Sequence, residues 1–167
     1  MKRLFLIVVF AIGMITPGAS VSAAQRPAEG WCDQWHRAAL KAGWKRSDLR
    51  MLDFIMYRES KCQPRVIGWN YRSGKSHRDC KPDKFARYVR CSAVRSWDSG
   101  LTQVNSYWCR PSEYTGNGYL QDVGVLSLCR DLLDPAVNLK AARALFEYSL
   151  EHNGCGWQPW GACRIRI

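Results

Sequence analysis

The sequence predicts a single α+β domain, mainly α, stapled by disulfides. Three observations carry this prediction. Apolar residues recur at helical spacing in three separate stretches, 31–42, 47–60 and 134–152. Between the second and the third, residues 68–97 lose that periodicity and become rich in Arg, Lys, Ser and Gly, the composition of a loop or a small hairpin. Eight cysteines, an even count, lie beyond an N-terminal segment of secretory type, so an oxidising compartment and up to four disulfides are expected.

In that segment Lys2 and Arg3 form a charged start, Leu4 to Ile15 an apolar run, and Pro17 and Gly18 break it ahead of the small residues Val21, Ser22, Ala23 and Ala24. This is the pattern of a signal peptide over residues 1–23, cleaved near Ala23, and the apolar run is too short to span a bilayer. Residues 24–30 then read as a short leader and 31–167 as the domain. No other long apolar segment follows. The mature chain is therefore expected to be secreted or periplasmic, monomeric, and without an integral membrane segment. A formal charge of +11 favours an anionic partner. An exported chain meets little nucleic acid, which leaves envelope and cell-wall polymers as the leading targets. No Cys-x-x-Cys pair occurs and His36, His77 and His152 are scattered, so neither a zinc site nor another metal or cofactor is expected.

Taken along the chain, residues 31–42 predict a first helix with Trp35, Ala38, Ala39 and Ala42 on one side and Gly43 as its stop. Cys32 would staple its start to something distant. The second helix runs from Ser47, a good N-cap followed by the first-turn acid Asp48, to Ser60, with Pro64 marking its end. Within 68–97, Cys80 and Cys91 bond to each other or outward, Phe85, Tyr88 and Val89 make an apolar cluster, and the basic residues from Arg72 to Arg90 face an anionic polymer or solvent. From Ser99 to Trp108, Leu101 and Val104 should be buried. Gln103 and Asn105 carry amides suited either to sugar hydroxyls or to the backbone groups of a turn. Residues 111–124 read as a loop turning at Gly116, Asn117 and Gly118. Asp134 as N-cap, Pro135 at the first helical position and Gly154 as stop frame the last helix, with Val137, Ala141, Ala144, Leu145 and Tyr148 as its buried stripe. Trp157 and Trp160 follow, between Cys155 and Cys163, available for stacking on sugars or for core packing.

Glu59 stands out in the second helix because it continues the apolar series Leu49, Leu52, Ile55, Met56. A carboxyl so placed, dehydrated and at the negative end of a helix, holds its proton more readily than one in water. A general acid needs that property. The competing reading is an ion pair with one of the many arginines and lysines.

Three motifs then stand in sequence: Glu59 and Ser60 at a helix end, Ser99-Gly100-Leu101-Thr102-Gln103-Val104-Asn105, and Asp134-Pro135-Ala136-Val137-Asn138-Leu139 at the start of a later helix. In this order they resemble the lysozyme-like superfamily of soluble lytic transglycosylases and goose-type lysozymes, over about Trp31 to Cys163. The resemblance implies a lysozyme-like domain and a peptidoglycan-cleaving glycosidase, acting on the β-1,4 bond between N-acetylmuramic acid and N-acetylglucosamine of the glycan strands. It makes Glu59 the catalytic acid/base, Ser60 a hydrogen-bonding neighbour at the substrate, and Gln103 and Asn105 residues of the sugar cleft. Two departures accompany it. Residues 68–97 look like an insertion, and the late Ala-Tyr-Asn motif is replaced by the Trp157 to Trp160 segment, leaving Tyr148 and Trp157 as substitute substrate contacts. A lytic transglycosylase, the primary expectation, needs one carboxylate, because the muramic acid 6-hydroxyl closes onto C1 to give a 1,6-anhydro end. A lysozyme-type hydrolase of inverting type needs a second, at roughly 6.5–9.5 Å from the first, and Asp98 is the best placed, ahead of Asp79 and Asp83. A non-enzymatic, basic cell-wall-binding module is the alternative from another class.

Overall fold

The computed structural model describes residues 30–80, 92–109 and 116–167. The signal peptide, most of the leader, and the expectations for Asp83, Phe85, Tyr88, Val89 and Cys91 lie outside the described residues. Four α-helices carry the described part: α1 (His36–Lys41), α2 (Leu49–Ser60), α3 (Tyr119–Asp122) and α4 (Pro135–Asn153). A three-stranded antiparallel sheet stands beside them, in the order β1 (Ile67–Tyr71), β2 (Val94–Ser99), β3 (Val104–Asn105). The fold is α+β and mainly α. Among the described residues no helix is long and apolar enough to cross a membrane.

Local chemistry explains most of the element boundaries. Helix α4 starts where the Asp134 carboxylate accepts the backbone N–H groups of Ala136 and Val137 at 2.8 and 3.0 Å, with Pro135 at the first helical position. It ends at Gly154 in the left-handed conformation. Its buried stripe is rotated from the expected one. Asn138, Leu139, Ala141, Ala142, Leu145 and Ser149 are buried, while Val137, Ala144 and Tyr148 lie at the margin. The polar pair Asn138 and Ser149 could not be recognised as core by hydrophobicity. Ser47 does not cap α2. A 3₁₀ turn over Arg46–Asp48 precedes that helix, and the Asp48 carboxylate instead receives the Lys45 backbone N–H at 3.2 Å and the Ser47 hydroxyl at 3.2 Å.

Strands β1 and β2 pair from Ile67↔Ser99 to Tyr71↔Val94. Of the two readings for 68–97, the hairpin is therefore correct, and both ends of that stretch belong to the sheet. Residues 119–122, expected as loop, form the short helix α3.

The core lies between α1, α2, α4 and the loops around the sheet, with Leu52, Ile55, Met56, Leu101, Leu132 and Leu139 fully buried. Trp44 joins the link before α2 to α4 by donating its indole N–H to the Leu139 carbonyl at 3.0 Å. Disulfides join Cys32 to Cys62, Cys109 to Cys129 and Cys155 to Cys163, and Cys80 is disulfide-bonded as well. Cys32 thus fastens the start of the domain to the end of α2.

Candidate active site

Helix α2 ends beside the sheet because its last residues are tied to the loop after β2. The buried Ser60 hydroxyl shares its proton between the carbonyls of Met56, at 2.9 Å, and Leu101, at 2.8 Å. Ser60, expected as a hydrogen-bonding neighbour at the substrate, is thus a buried fastener whose hydroxyl is bonded to two backbone carbonyls. Glu59, one position earlier, sits at the edge of the apolar face, its side chain 27% exposed. The expected dehydrated setting is only half realised, since the face rotates out to the exposed Tyr57 and Arg58 there. The Arg58 guanidinium lies against Glu59, donating from Nε to Oε1 at 2.8 Å and from Nη2 to the same oxygen. The Nη2 group also donates to the Trp160 carbonyl. The ion pair that competed with the acid reading is therefore present, at a half-exposed position where Glu59 still reaches solvent.

The loop between β2 and β3 is shaped by its glycine and by Gln103. Gly100 has φ +78°, and a Cβ there would strike the Asn138 amide and the Leu132 carbonyl. Gln103 holds φ +48°, an uncommon conformation for a residue with a side chain. Its own amide secures it, with Nε2 donating to the carbonyls of Gly100 at 2.8 Å and Val66 at 3.0 Å. The Gln103 amide nitrogen thus satisfies backbone, the turn-forming reading. Its Oε1 lies over the bare Cα of Gly68, which in turn lies against Asp98.

Asp98 occupies the middle of one sheet face, opposite Gly68 on β1 and Asn105 on β3. Asn105 Nδ2 donates to its Oδ1 and Asn70 Nδ2 to its Oδ2, each at 2.7 Å. The same two amides reach the Ser96 hydroxyl at 3.2 and 3.3 Å. Asn105 Oδ1 accepts the Tyr107 backbone N–H at 2.9 Å. Ion pairs among the described residues join other groups: His36 with Asp53, Arg58 with Glu59, Lys75 with Asp79, and Arg143 with Asp48 and Glu147. Asp98 is held by neutral amide dipoles.

Asn70, Ser96 and Asn105 of this network line an open groove of about 650 Å³, together with Tyr71, Arg72, Arg95 and Tyr107. The structure therefore brings Asp98 and Asn105 together, with Asn105 on the groove wall and Asp98 behind it. Asn70, Ser96 and Tyr107 are members that the sequence reading missed. The alternation of Trp69 and Tyr71 with Gly68 and Asn70 was a strand signal, but nothing local shows that Asn70 meets a carboxylate 28 residues away.

The two substitute contacts are placed elsewhere. Trp157 stacks on Trp44 with centroids 5.4 Å apart and abuts Phe146 at 4.6 Å, half-buried against the core. Tyr148 packs between Tyr119, Trp108 and His152 on the outer side of α4. In that cluster the Tyr119 hydroxyl is pushed above the ordinary tyrosine value, first by burial and then by the negative charges of Glu147 and Glu151 and by Tyr148.

No family model matches the chain, and no curated protein matches it. Among solved structures it is similar to a lysozyme from Litopenaeus vannamei, at TM-score 0.52 and 20% identity, covering 82% of this chain and 88% of that one. With identity so low the likeness speaks for architecture, and the architecture it shows is lysozyme-like.

Proposed function

We propose that the chain is an exported glycosidase that cleaves the β-1,4 bond between N-acetylmuramic acid and N-acetylglucosamine in peptidoglycan, and that it does so by hydrolysis with two carboxylates. The observation that carries the reading is Asp98, held on the sheet face by the Asn70 and Asn105 amides beside an open groove. A carboxylate whose partners are amides rather than a cation is suited to face the positive charge that develops at C1 as a glycosidic bond breaks. Glu59, half-exposed at the end of α2, would protonate the departing oxygen. Asp98 takes a proton from a water on the opposite face of the sugar as its hydroxyl joins C1, and exchange with solvent then returns the Asp98 proton to Glu59. Disulfides fit an oxidising compartment, and the positive charge fits an anionic wall.

Transglycosylation is the second reading, favoured by the order of the Glu59-Ser60 and Gly100 to Asn105 motifs. Mass spectrometry of soluble products from purified peptidoglycan separates the two. Hydrolysis yields reducing-end muropeptides and is expected to fall about a hundredfold or more in both Glu59→Gln and Asp98→Asn. Anhydro ends, retained in Asp98→Asn and lost in Glu59→Gln, would replace hydrolysis by the one-carboxylate reaction. Absence of products with strand binding intact would leave a wall-binding module.

A further inference from the structure

Arg58 is fastened on several sides at the end of α2 that carries Glu59. Its guanidinium lies over the Phe54 ring, 5.6 Å from the centroid, and its Nη2 group donates to the Trp160 carbonyl. Trp160 is itself held in place. It closes a 3₁₀ turn over Gln158–Trp160, inside the loop of the Cys155–Cys163 disulfide, and its buried indole donates to the Thr102 carbonyl at 2.8 Å. The C-terminal segment thus reaches the end of α2 through Arg58. As a source of stability the pair of Arg58 with Glu59 counts for little, because the two side chains are 34% and 27% exposed. What it fixes is the orientation of the carboxyl group. An arginine meeting a carboxylate in the usual fork occupies both oxygens. Here Nε and Nη2 both donate to Oε1, and among the described residues no donor reaches Oε2.

We infer that Arg58 is a positioning residue for the acid step, holding Glu59 by Oε1 so that the proton is carried on, and delivered from, Oε2. This rests on Glu59 being the acid of the reaction proposed above, and it applies to hydrolysis and to anhydro formation alike. A protonated carboxyl group has one oxygen that bears the proton and one that can only accept. Oε1 accepts from the guanidinium, so the proton belongs on Oε2. As the glycosidic oxygen takes that proton, the Oε2–H bond and the C1–O bond break, and the negative charge left on the carboxyl group spreads over both its oxygens. The guanidinium already faces that charge as it forms. Its attraction is stronger to the emerging carboxylate than to the neutral acid, so it favours the transition state over the bound substrate, and its loss should fall on kcat rather than on KM. The bond to the Trp160 carbonyl keeps the donors in place throughout.

Arg58→Ala and Arg58→Lys test this on soluble, uncrosslinked glycan strands, with initial rates read from product release and a melting curve recorded for each oxidised protein. Arg58→Ala is expected to lower kcat by roughly tenfold or more while KM moves less than about twofold. Arg58→Lys, which keeps the charge without the planar fork, should recover part of kcat. Millimolar guanidinium should raise the kcat of Arg58→Ala and leave the native protein and Glu59→Gln as they were, a response that lost packing cannot give. An unchanged kcat in Arg58→Ala overturns the inference, as does a rise in KM with kcat intact, which would make Arg58 a substrate contact. A loss that neither lysine nor guanidinium relieves would make the residue structural and overturns it too. Native protein that cleaves nothing rejects the glycosidase and this role together, whereas cleavage by the native protein with Arg58→Ala equally active rejects this role alone.

Discussion

Asn138 shows how one residue can hold a site it never touches. Fully buried at the start of α4, it donates from Nδ2 to the carbonyls of Ser99 and Leu132 at 2.8 and 3.0 Å. It accepts at Oδ1 from the Thr102 N–H at 3.0 Å and hydroxyl at 2.9 Å. All four hydrogen-bonding places of the amide are used, and they clamp the loop between Asp98 and Asn105. Gly100 makes the close approach possible. Gly100→Ala would combine a left-handed residue bearing a side chain with a clash against this amide, and is expected to destabilise by roughly 2–4 kcal/mol. Urea unfolding measures it, and a loss below about 0.5 kcal/mol would mean the loop yields easily.

At the scale of elements, α4 has two unlike sides. Toward the core it presents Leu139, Ala142 and Leu145, while outside it presents Tyr148 to Tyr119 of α3, with centroids 4.8 Å apart. The raised Tyr119 titration gives this contact a signature. Burial and neighbouring negative charge keep the native hydroxyl protonated where the unfolded chain, titrating near 10.0, has begun to release its proton. Stability from this group is therefore intact below about pH 10 and falls as pH rises beyond it. Tyr119→Phe should flatten the alkaline side of a plot of melting temperature against pH. An unchanged alkaline slope would place the effect in other groups.

For the whole molecule, the disulfides act as local staples. Three of them close sequence separations of 30, 20 and 8 residues, and the longest of these fixes the N-terminal turn to the end of the helix bearing Glu59. Around that bond the Trp35 indole donates to the Cys62 carbonyl at 2.9 Å, and the Cys32 N–H donates to the buried Asp53 carboxylate at 2.8 Å. Replacing Cys32 and Cys62 together by serine should lower stability by about 3–4 kcal/mol, or roughly 6–15 °C in melting temperature. Calorimetry of the oxidised proteins reads this. Cleavage at low temperature should persist if the staple serves stability, whereas early loss of cleavage would show that it positions Glu59.

The helices are legible in the chain because their information is local: the Asp134 cap, Pro135, the Gly154 stop and the spacing of Leu52, Ile55 and Met56 act within a few residues. The class of the fold and the place of Glu59 at a helix end follow from the same local signals. What surrounds the chemistry is settled only when distant parts of the chain meet. Whether Gln103 meets sugar or backbone, whether Trp157 stacks on a ligand or on Trp44, and which amides hold Asp98 all depend on contacts between residues far apart in sequence. Strand register is one such quantity. A single extra residue, Arg95, moves the pairing from Asn70↔Ser96 to Tyr71↔Val94, a shift that no local pattern announces.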